Sequence, residues 1–273
     1  MSAQGFPRGE SCSVKTGRVL VKIGGKAAEN AAALACLADE MLFLSKGYRF
    51  LLVHGGGAEV TALSRKLGME SVFANGLRQT TAAEMDVVDM VLAGKVNKQL
   101  VRLLRARGID AVGLSGADGA ILTGKSAGTL PDGSQSRTGE VDGVDGKLLT
   151  LLLDNDFLPV ISSPAMDSTG LALNLNADTA AFAIAVRLSC SALVFLSDIP
   201  GIIADGSVIR ELSAAQAGTL TATGVITGGM VPKVSASLEA LDRGVQTVII
   251  GQYEEAGSLA ELLDGRKGTR IWK

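Results

Sequence analysis

The chain repeats one join: a short apolar run that stops abruptly on glycine. Val19-Leu20-Val21-Lys22-Ile23 breaks at Gly24-Gly25, and Phe50-Leu51-Leu52-Val53-His54 breaks at Gly55-Gly56-Gly57. Ile109 to Leu114 runs into Ser115-Gly116-Ala117-Asp118-Gly119. Runs of this length and apolar content read as buried strands. Between them lie segments with apolar residues at helical spacing, Asn30 to Leu44 and Ala58 to Leu67. Strand alternating with helix favours parallel strands, because each crossover helix returns the chain to the same edge of the sheet. The expected class is α/β: a three-layer α-β-α sandwich around a mostly parallel, open sheet. In such sheets ligands bind in the crevice beyond the carboxyl ends of the strands, where the glycine joins fall.

Three consecutive glycines are entropically costly, and close approach of the backbone to a ligand explains them better than a simple turn does. Lys22, at the end of the first strand beside bare amides, points to an anion such as phosphate, although alone it also fits a surface lysine before a turn. His54 is the only histidine. It reads as a hydrogen-bonded, partly buried imidazole, since no nucleophile motif accompanies it.

Further strands are expected at Phe157 to Ser162, Ala192 to Leu196 and Val245 to Ile250, and a short one at Leu171 to Leu175. Helices are expected over Ala82 to Arg107, Asp145 to Asn155, Ala177 to Leu188 with Asn176 as cap, Ser213 to Thr223, and Lys233 to Arg243. Ala120 to Val144, broken by Gly, Asp, Ser and Pro131, reads as a hairpin-rich excursion. Within it, Gly119 to Ser126 matches the P-loop spacing, but its interior is strand-like and Ala127 to Gly133 is turn-forming, so the context argues against a phosphate cradle there. Asp178 comes after Asn174-Leu175-Asn176-Ala177 in a first helical turn, in reach of cations at the rim. Lys233 begins another helix after Gly228-Gly229, which opposes the helix dipole by up to ~1 kcal/mol and calls for a compensating negative group.

A net charge of −2 without any Lys/Arg block argues against a nucleic-acid surface. No apolar run is long enough to span a membrane, and Met1 to Gly17, rich in Gly, Pro and Ser, lacks a signal-peptide core, so a loose tail and a cytoplasmic protein are expected. Cys12, Cys36 and Cys190 are isolated and give neither a disulfide framework nor zinc spacing, and no protein metal site is expected.

The motifs V-K-I-G-G, V-H-G-G-G, N-G-L-R, G-K-V-N, L-S-G-A-D-G, N-L-N-A-D, L-S-D-I-P-G-I and G-G-M-V-P-K-V, in this order from Val19 onward, resemble the amino-acid kinase superfamily and, within it, the N-acetylglutamate kinases. The resemblance implies the amino-acid kinase fold and transfer of the ATP γ-phosphoryl group to the side-chain carboxylate of N-acetyl-L-glutamate, a step of arginine biosynthesis, with Mg2+ arriving on ATP. It implies that Lys22 and Lys233 flank the transferring group and that Asp178 orients them. Gly25 would offer its amide to the phosphates, and Gly56 and Gly57 theirs to the acyl amino acid. Arg78 would clamp a substrate carboxylate, and Asn174 would bond the acetylated amino acid. Asp198, Ile199, Pro200, Gly201, Ile202 and Ile203, with Val225, Ile226 and Thr227, would border the nucleotide. The lobes implied are 18–172 for the acyl amino acid and 173–273 for ATP, on one continuous sheet, after the tail at 1–17.

Two features depart from the family. The Gly/Pro-broken tail is a poor match for the N-terminal helix that links arginine-inhibited members into hexamers, so a homodimer without strong arginine feedback is expected. Glu140 and Asp142 put charges in a segment that is commonly more glycine-rich. Two alternatives stay open: a related kinase acting on a carrier-bound aminoadipate or glutamate, and a non-catalytic sensor of amino acid or nucleotide on the same fold.

Overall fold

The apolar runs pair into a single eight-stranded sheet in a computed structural model that describes residues 17–24, 30–74, 76–204, 206–226 and 230–273. The tail at 1–16, and with it most of the expected 1–17 segment, lies outside the described residues, as do Gly25 and Thr227. Gly17 already belongs to the first strand.

In chain order the elements begin with β1 (Gly17–Ile23), α1 (Ala31–Leu44), β2 (Tyr48–His54), α2 (Gly57–Lys66), and a small hairpin of β3 (Phe73–Ala74) and β4 (Leu77–Arg78). Then come α3 (Ala82–Val88), a π-helical stretch Asp89–Val96, α4 (Asn97–Arg105), β5 (Ala111–Ser115), β6 (Leu122–Ser126), β7 (Thr138–Val144) and α5 (Lys147–Asp154). Beyond these lie β8 (Leu158–Ser162), β9 (Pro164–Met166), β10 (Ala172–Leu175), α6 (Ala177–Arg187) and β11 (Ala192–Leu196). The last part holds β12 (Ile203–Ala204), β13 (Ser207–Val208), β14 (Glu211–Ser213), α7 (Ala214–Ala222), α8 (Met230–Asp242), β15 (Thr247–Gly251), α9 (Ser258–Leu263) and β16 (Thr269–Trp272).

The sheet order is β14-β16-β15-β11-β1-β2-β8-β5, parallel throughout except for the antiparallel pair β15 and β16. β1 lies at the centre, with Val21 opposite Val194 on one side and Leu52 on the other. A second group of strands, β10-β7-β6-β9, closes on itself above the carboxyl ends.

Period-two alternation along each strand sends side chains to two separate cores and so produces the three layers. Val19, Val21 and Ile23 of β1, with Phe50 and Leu52 of β2, pack with Leu37 and Met41 of α1 and Leu100 and Leu104 of α4. Leu20, Leu51 and Val53 face the other way, onto Ala180, Ala181 and Ile184 of α6. The same alternation decides where the polar residues at the strand ends go. Lys22 must leave β1 on the α6 face, and His54 must leave β2 on the α4 face.

The stretch expected as one helix over Ala82 to Arg107 is helical throughout but passes through the π-helical turns. Buried Val88, Leu92 and Val96 recur every four residues, a spacing that does not distinguish a π turn from an α turn.

Candidate active site

Lys22 emerges on the α6 face and meets the first turn of that helix, where its Nζ lies 2.6 Å from Asp178 Oδ1. The lysine side chain is only 13 % exposed, so the pair is mostly withdrawn from water. Asn176 caps α6, its side-chain oxygen accepting from the amides of Asp178 at 2.7 Å and Thr179 at 3.3 Å. That cap fixes the turn carrying the carboxylate, at the end of a helix where negative charge is favoured. Gly24 completes the arrangement. A Cβ there would stand 2.2 Å from Lys22 Nζ, so any other residue would push the ammonium out of this position. The sequence pointed to Gly25 for its amide; the space for Lys22 comes from Gly24.

Lys22 and Gly24 line two neighbouring cavities. The first, about 500 Å³, is bordered by Asp198, Ile199, Gly201, Ile202, Ile203, Val225 and Ile226 from the expected nucleotide segments, and by Lys233 at the start of α8. Pro200 is not among its lining residues. Ser197 and Met230, which sequence reasoning did not single out, are. Ile203 and Val225 stand 50 % and 43 % exposed at this cavity, apolar surface that a flat, apolar-faced ligand would cover. Lys233 has no carboxylate partner among the described residues, so its charge is left for whatever occupies the cavity.

The second cavity, about 260 Å³, is lined by Gly56, Gly57, Arg78 and Asn174. Thr138, Gly139 and Leu175 from the closed strand group form part of its wall. Gly56 stands at the N-cap of α2 with φ at +147°, a conformation open to glycine, and no side chain caps the helix, so the first-turn amides are free to serve a ligand. Asn174 Nδ2 donates to Thr80 Oγ1 at 3.0 Å.

Arg78 lies at this cavity but is already heavily engaged. Its Nη1 donates to Glu84 Oε1 at 2.8 Å and to Ser71 Oγ, and its Nη2 to Gly57 O at 3.0 Å and Thr61 Oγ1 at 2.8 Å. The guanidinium also sits over the Phe73 ring, 4.8 Å from its centroid. Four of the five N–H directions of the fork are thus taken by the protein itself. The expected bidentate clamp requires exchange of the Thr61 and Gly57 contacts for those of the ligand. Glu84, only 4 % exposed, is a site residue that the sequence reading missed. It stands three residues after Thr81, the spacing of a capping box, and the structure forms half of one: Thr81 Oγ1 accepts from Glu84 N at 3.1 Å, while the carboxylate turns to Arg78 and Ser71.

The P-loop-like stretch has no part in either cavity. Leu122–Ser126 is strand β6, and Lys125 is spent on an exposed ion pair with Asp142.

Between Lys22 and Lys233 the first cavity can hold several negative charges, and the second, reached past the same Lys22, can hold a small acidic molecule. The chain matches the amino acid kinase family over residues 17–252. An acetylglutamate kinase of Geobacillus kaustophilus is 41% identical over 232 residues, covering 85% of this chain and 88% of that protein. One of Rhizobium rhizogenes is 42% identical over 252 residues, covering 88% of this chain and 85% of its own. Among solved structures, N-acetylglutamate synthase of Neisseria gonorrhoeae, complexed with coenzyme A and N-acetyl-glutamate, superposes with a TM-score of 0.81 at 26% identity, over 94% of this chain and 59% of that one.

Proposed function

The chain belongs to the amino acid kinase family, in its acetylglutamate kinase group, and from that premise we propose that it transfers the γ-phosphoryl group of ATP to the side-chain carboxylate of N-acetyl-L-glutamate, giving N-acetyl-L-glutamyl 5-phosphate for arginine biosynthesis. The observation that carries this reading is the position of Lys22 in the wall common to two cavities, one bordered by Lys233 and apolar residues and the other by Arg78, Asn174 and bare glycine amides.

The acceptor carboxylate, with an ordinary pKa near ~4.3, is ionised at neutral pH and attacks without a general base. A new O–P bond forms as the bond from Pγ to the bridging oxygen breaks, and ADP leaves. The obstacle is repulsion between anions: at ~4 Å and an effective dielectric of ~20, each pair of unit charges opposes approach by about 4 kcal/mol. Lys22 and Lys233 offset that charge as it spreads in the transition state, and Asp178 holds Lys22 in place. The Gly56 and Gly57 amides, Arg78 and Asn174 hold the acyl amino acid. The segments Asp198 to Ile203 and Val225 to Thr227 border the nucleotide, and Gly25 adds an amide to its phosphates. The proposed acceptor lobe at 18–172 and nucleotide lobe at 173–273 each supply most of one site, with Asn174 crossing to the acceptor cavity and Lys22 to the nucleotide cavity. No group of three or more carboxylate, histidine or cysteine side chains suited to a metal occurs among the described residues, and Asp178 is engaged by Lys22. Mg2+ would arrive with ATP and add positive charge at its phosphates.

The direct test is to incubate the protein with ATP, Mg2+ and a panel of N-acetylglutamate, glutamate and aminoadipate, and to trap the acyl phosphate with hydroxylamine. Hydroxamate from N-acetylglutamate is the expected product; none from any acceptor, or a clear preference for aminoadipate, would reject the assignment. The protein acts in the cytoplasm as a homodimer, and a sixfold mass in size-exclusion light scattering would contradict that state.

A further inference from the structure

We propose that His54 is a positioning residue, holding the Gly55–Gly56 peptide in the orientation that aims the Gly56 N–H into the acceptor cavity. The proposal rests on the assignment of that cavity to the acyl amino acid.

His54 leaves β2 on the face opposite Lys22 and is completely buried. Its Nδ1 lies 2.8 Å from the carbonyl oxygen of Gly55, and its Nε2 lies 3.1 Å from Nδ2 of Asn97, the first residue of α4, also completely buried. The orientation of the Asn97 amide is determined by its other neighbours. Nδ2 donates toward Val160 O at 2.9 Å and Leu114 O at 3.2 Å, and Oδ1 accepts from Lys98 Nζ at 2.9 Å. Reversing the amide would set oxygen against two carbonyl oxygens and an NH2 group against an ammonium. An amide nitrogen cannot accept, so a proton on Nε2 would face another donor, whereas Nδ1 faces a carbonyl oxygen; Nε2 therefore carries the lone pair, and the imidazole proton sits on Nδ1. Nδ1–H then donates to the Gly55 carbonyl.

The peptide geometry supplies the next step. No cis bond occurs among the described residues, and in a planar trans peptide the C=O and the following N–H point in opposite directions. Drawing the Gly55 carbonyl toward buried His54 turns the Gly56 N–H outward, on the side where Gly55, Gly56 and Gly57 line the cavity. The Gly56 N–H has no partner among the described residues. At this glycine, with φ at +147°, a Cβ would also stand 2.8 Å from Leu92 Cδ2, so the backbone lacks the restraint a side chain would give and the imidazole provides one instead. Burial outweighs the hydrogen bond to Gly55, which raises the His54 pKa, and with a smaller contribution from Lys98 lowers it to about 4, so the ring stays in the required neutral form.

Because His54 is the only histidine in the chain, the nitrogen-15 spectrum of its ring can be read without assignment ambiguity. The Nδ1–H tautomer is expected between pH 6 and pH 9 (roughly, the window in which a ring with so depressed a pKa is neutral); the Nε2–H tautomer would overturn the proposal. The kinetic arm uses His54→Asn, whose amide can donate near the position of Nδ1, His54→Gln, whose amide reaches toward that of Nε2, and His54→Leu, which has no donor. Loss of one aimed amide predicts a fall in acceptor kcat/KM of roughly 100-fold for Gln and Leu, with ATP KM changed by less than about 3-fold, and Asn within about 5-fold of the parent. A role in packing alone would favour Gln and Leu, which are nearer to histidine in volume, so Gln or Leu matching or exceeding Asn overturns the proposal. If the Leu variant does not fold, the Asn and Gln pair carries the comparison. If substitutions at this position all unfold, the parent's tautomer decides. Failure of the parent protein to turn over N-acetylglutamate would reject the functional reading, while the ring spectrum would still report on His54.

Discussion

On the proposed function, two side chains of like charge and one carboxylate concentrate the chemistry, and each can be removed singly. Lys22→Ala and Lys233→Ala should each lower kcat by at least ~100-fold with modest changes in KM, because charge stabilisation is lost mainly in the transition state. Gly24→Ala leaves the lysine present but places a methyl group where its ammonium lies. It should cost kcat on the order of 10- to 100-fold, as small misplacements of a reacting geometry do, and normal turnover would show that Lys22 works from another position. Arg78→Lys should mainly raise the acceptor KM, since lysine cannot span Glu84, Thr61 and the ligand as a planar fork can. The positions of Lys22, Asp178 and Lys233 at the strand and helix ends were legible in the sequence because a charge at the end of an apolar run or in the first turn of a helix stands out locally. Gly24 and Glu84 were not, because their significance depends on where another side chain bends back in three dimensions.

At the level of elements, the cap of α6 is where local stability and function meet. Asn176 accepts from the amides of Asp178 and Thr179, so Asn176→Ala should lower stability by about 1 kcal/mol, read as a reduced Tm. It should also lower kcat by more than an exposed cap such as Asn30→Ala does, since α1 carries no site residue; equal and negligible kinetic effects would separate the cap from Asp178. The central strands and long helices were readable because continuous apolar runs and helical spacing announce them. Among the pieces that were missed are the hairpins β3–β4 and β12–β13, the strands β9, β14 and β16, and the six-residue α9. Two- to four-residue strands carry too little pattern to be seen before their partners are known. The π-helical turns of Asp89–Val96 were hidden for a related reason, their apolar residues recurring at spacings that an ordinary helix also allows.

For the whole molecule, the lone imidazole predicts how stability changes with acid. Its folded pKa of about 4 lies below the ordinary 6.5, so as pH falls the unfolded chain takes up the proton first. The stabilisation is complete above pH 6.5 and is lost as pH falls toward 4, by about 3 kcal/mol in all. In paired melts of the parent and His54→Asn, the parent should lose more stability between pH 7 and pH 4.5; curves that stay parallel would contradict a neutral buried ring. The layered architecture was evident from the strand–helix alternation, but strand order was not, because nothing local tells β1 that its neighbours are β2 and a segment about 170 residues later. That long-range pairing bears on biosynthesis. While the ribosome is still making the second half of the polypeptide, β1 has one apolar flank without its partner, and at 5–20 residues per second the wait for β11 is on the order of ten seconds. During that interval the nascent chain presents a sticky strand edge to the cell's chaperones, and the cavity that Lys22 shares with Lys233 does not exist until Lys233 has been added.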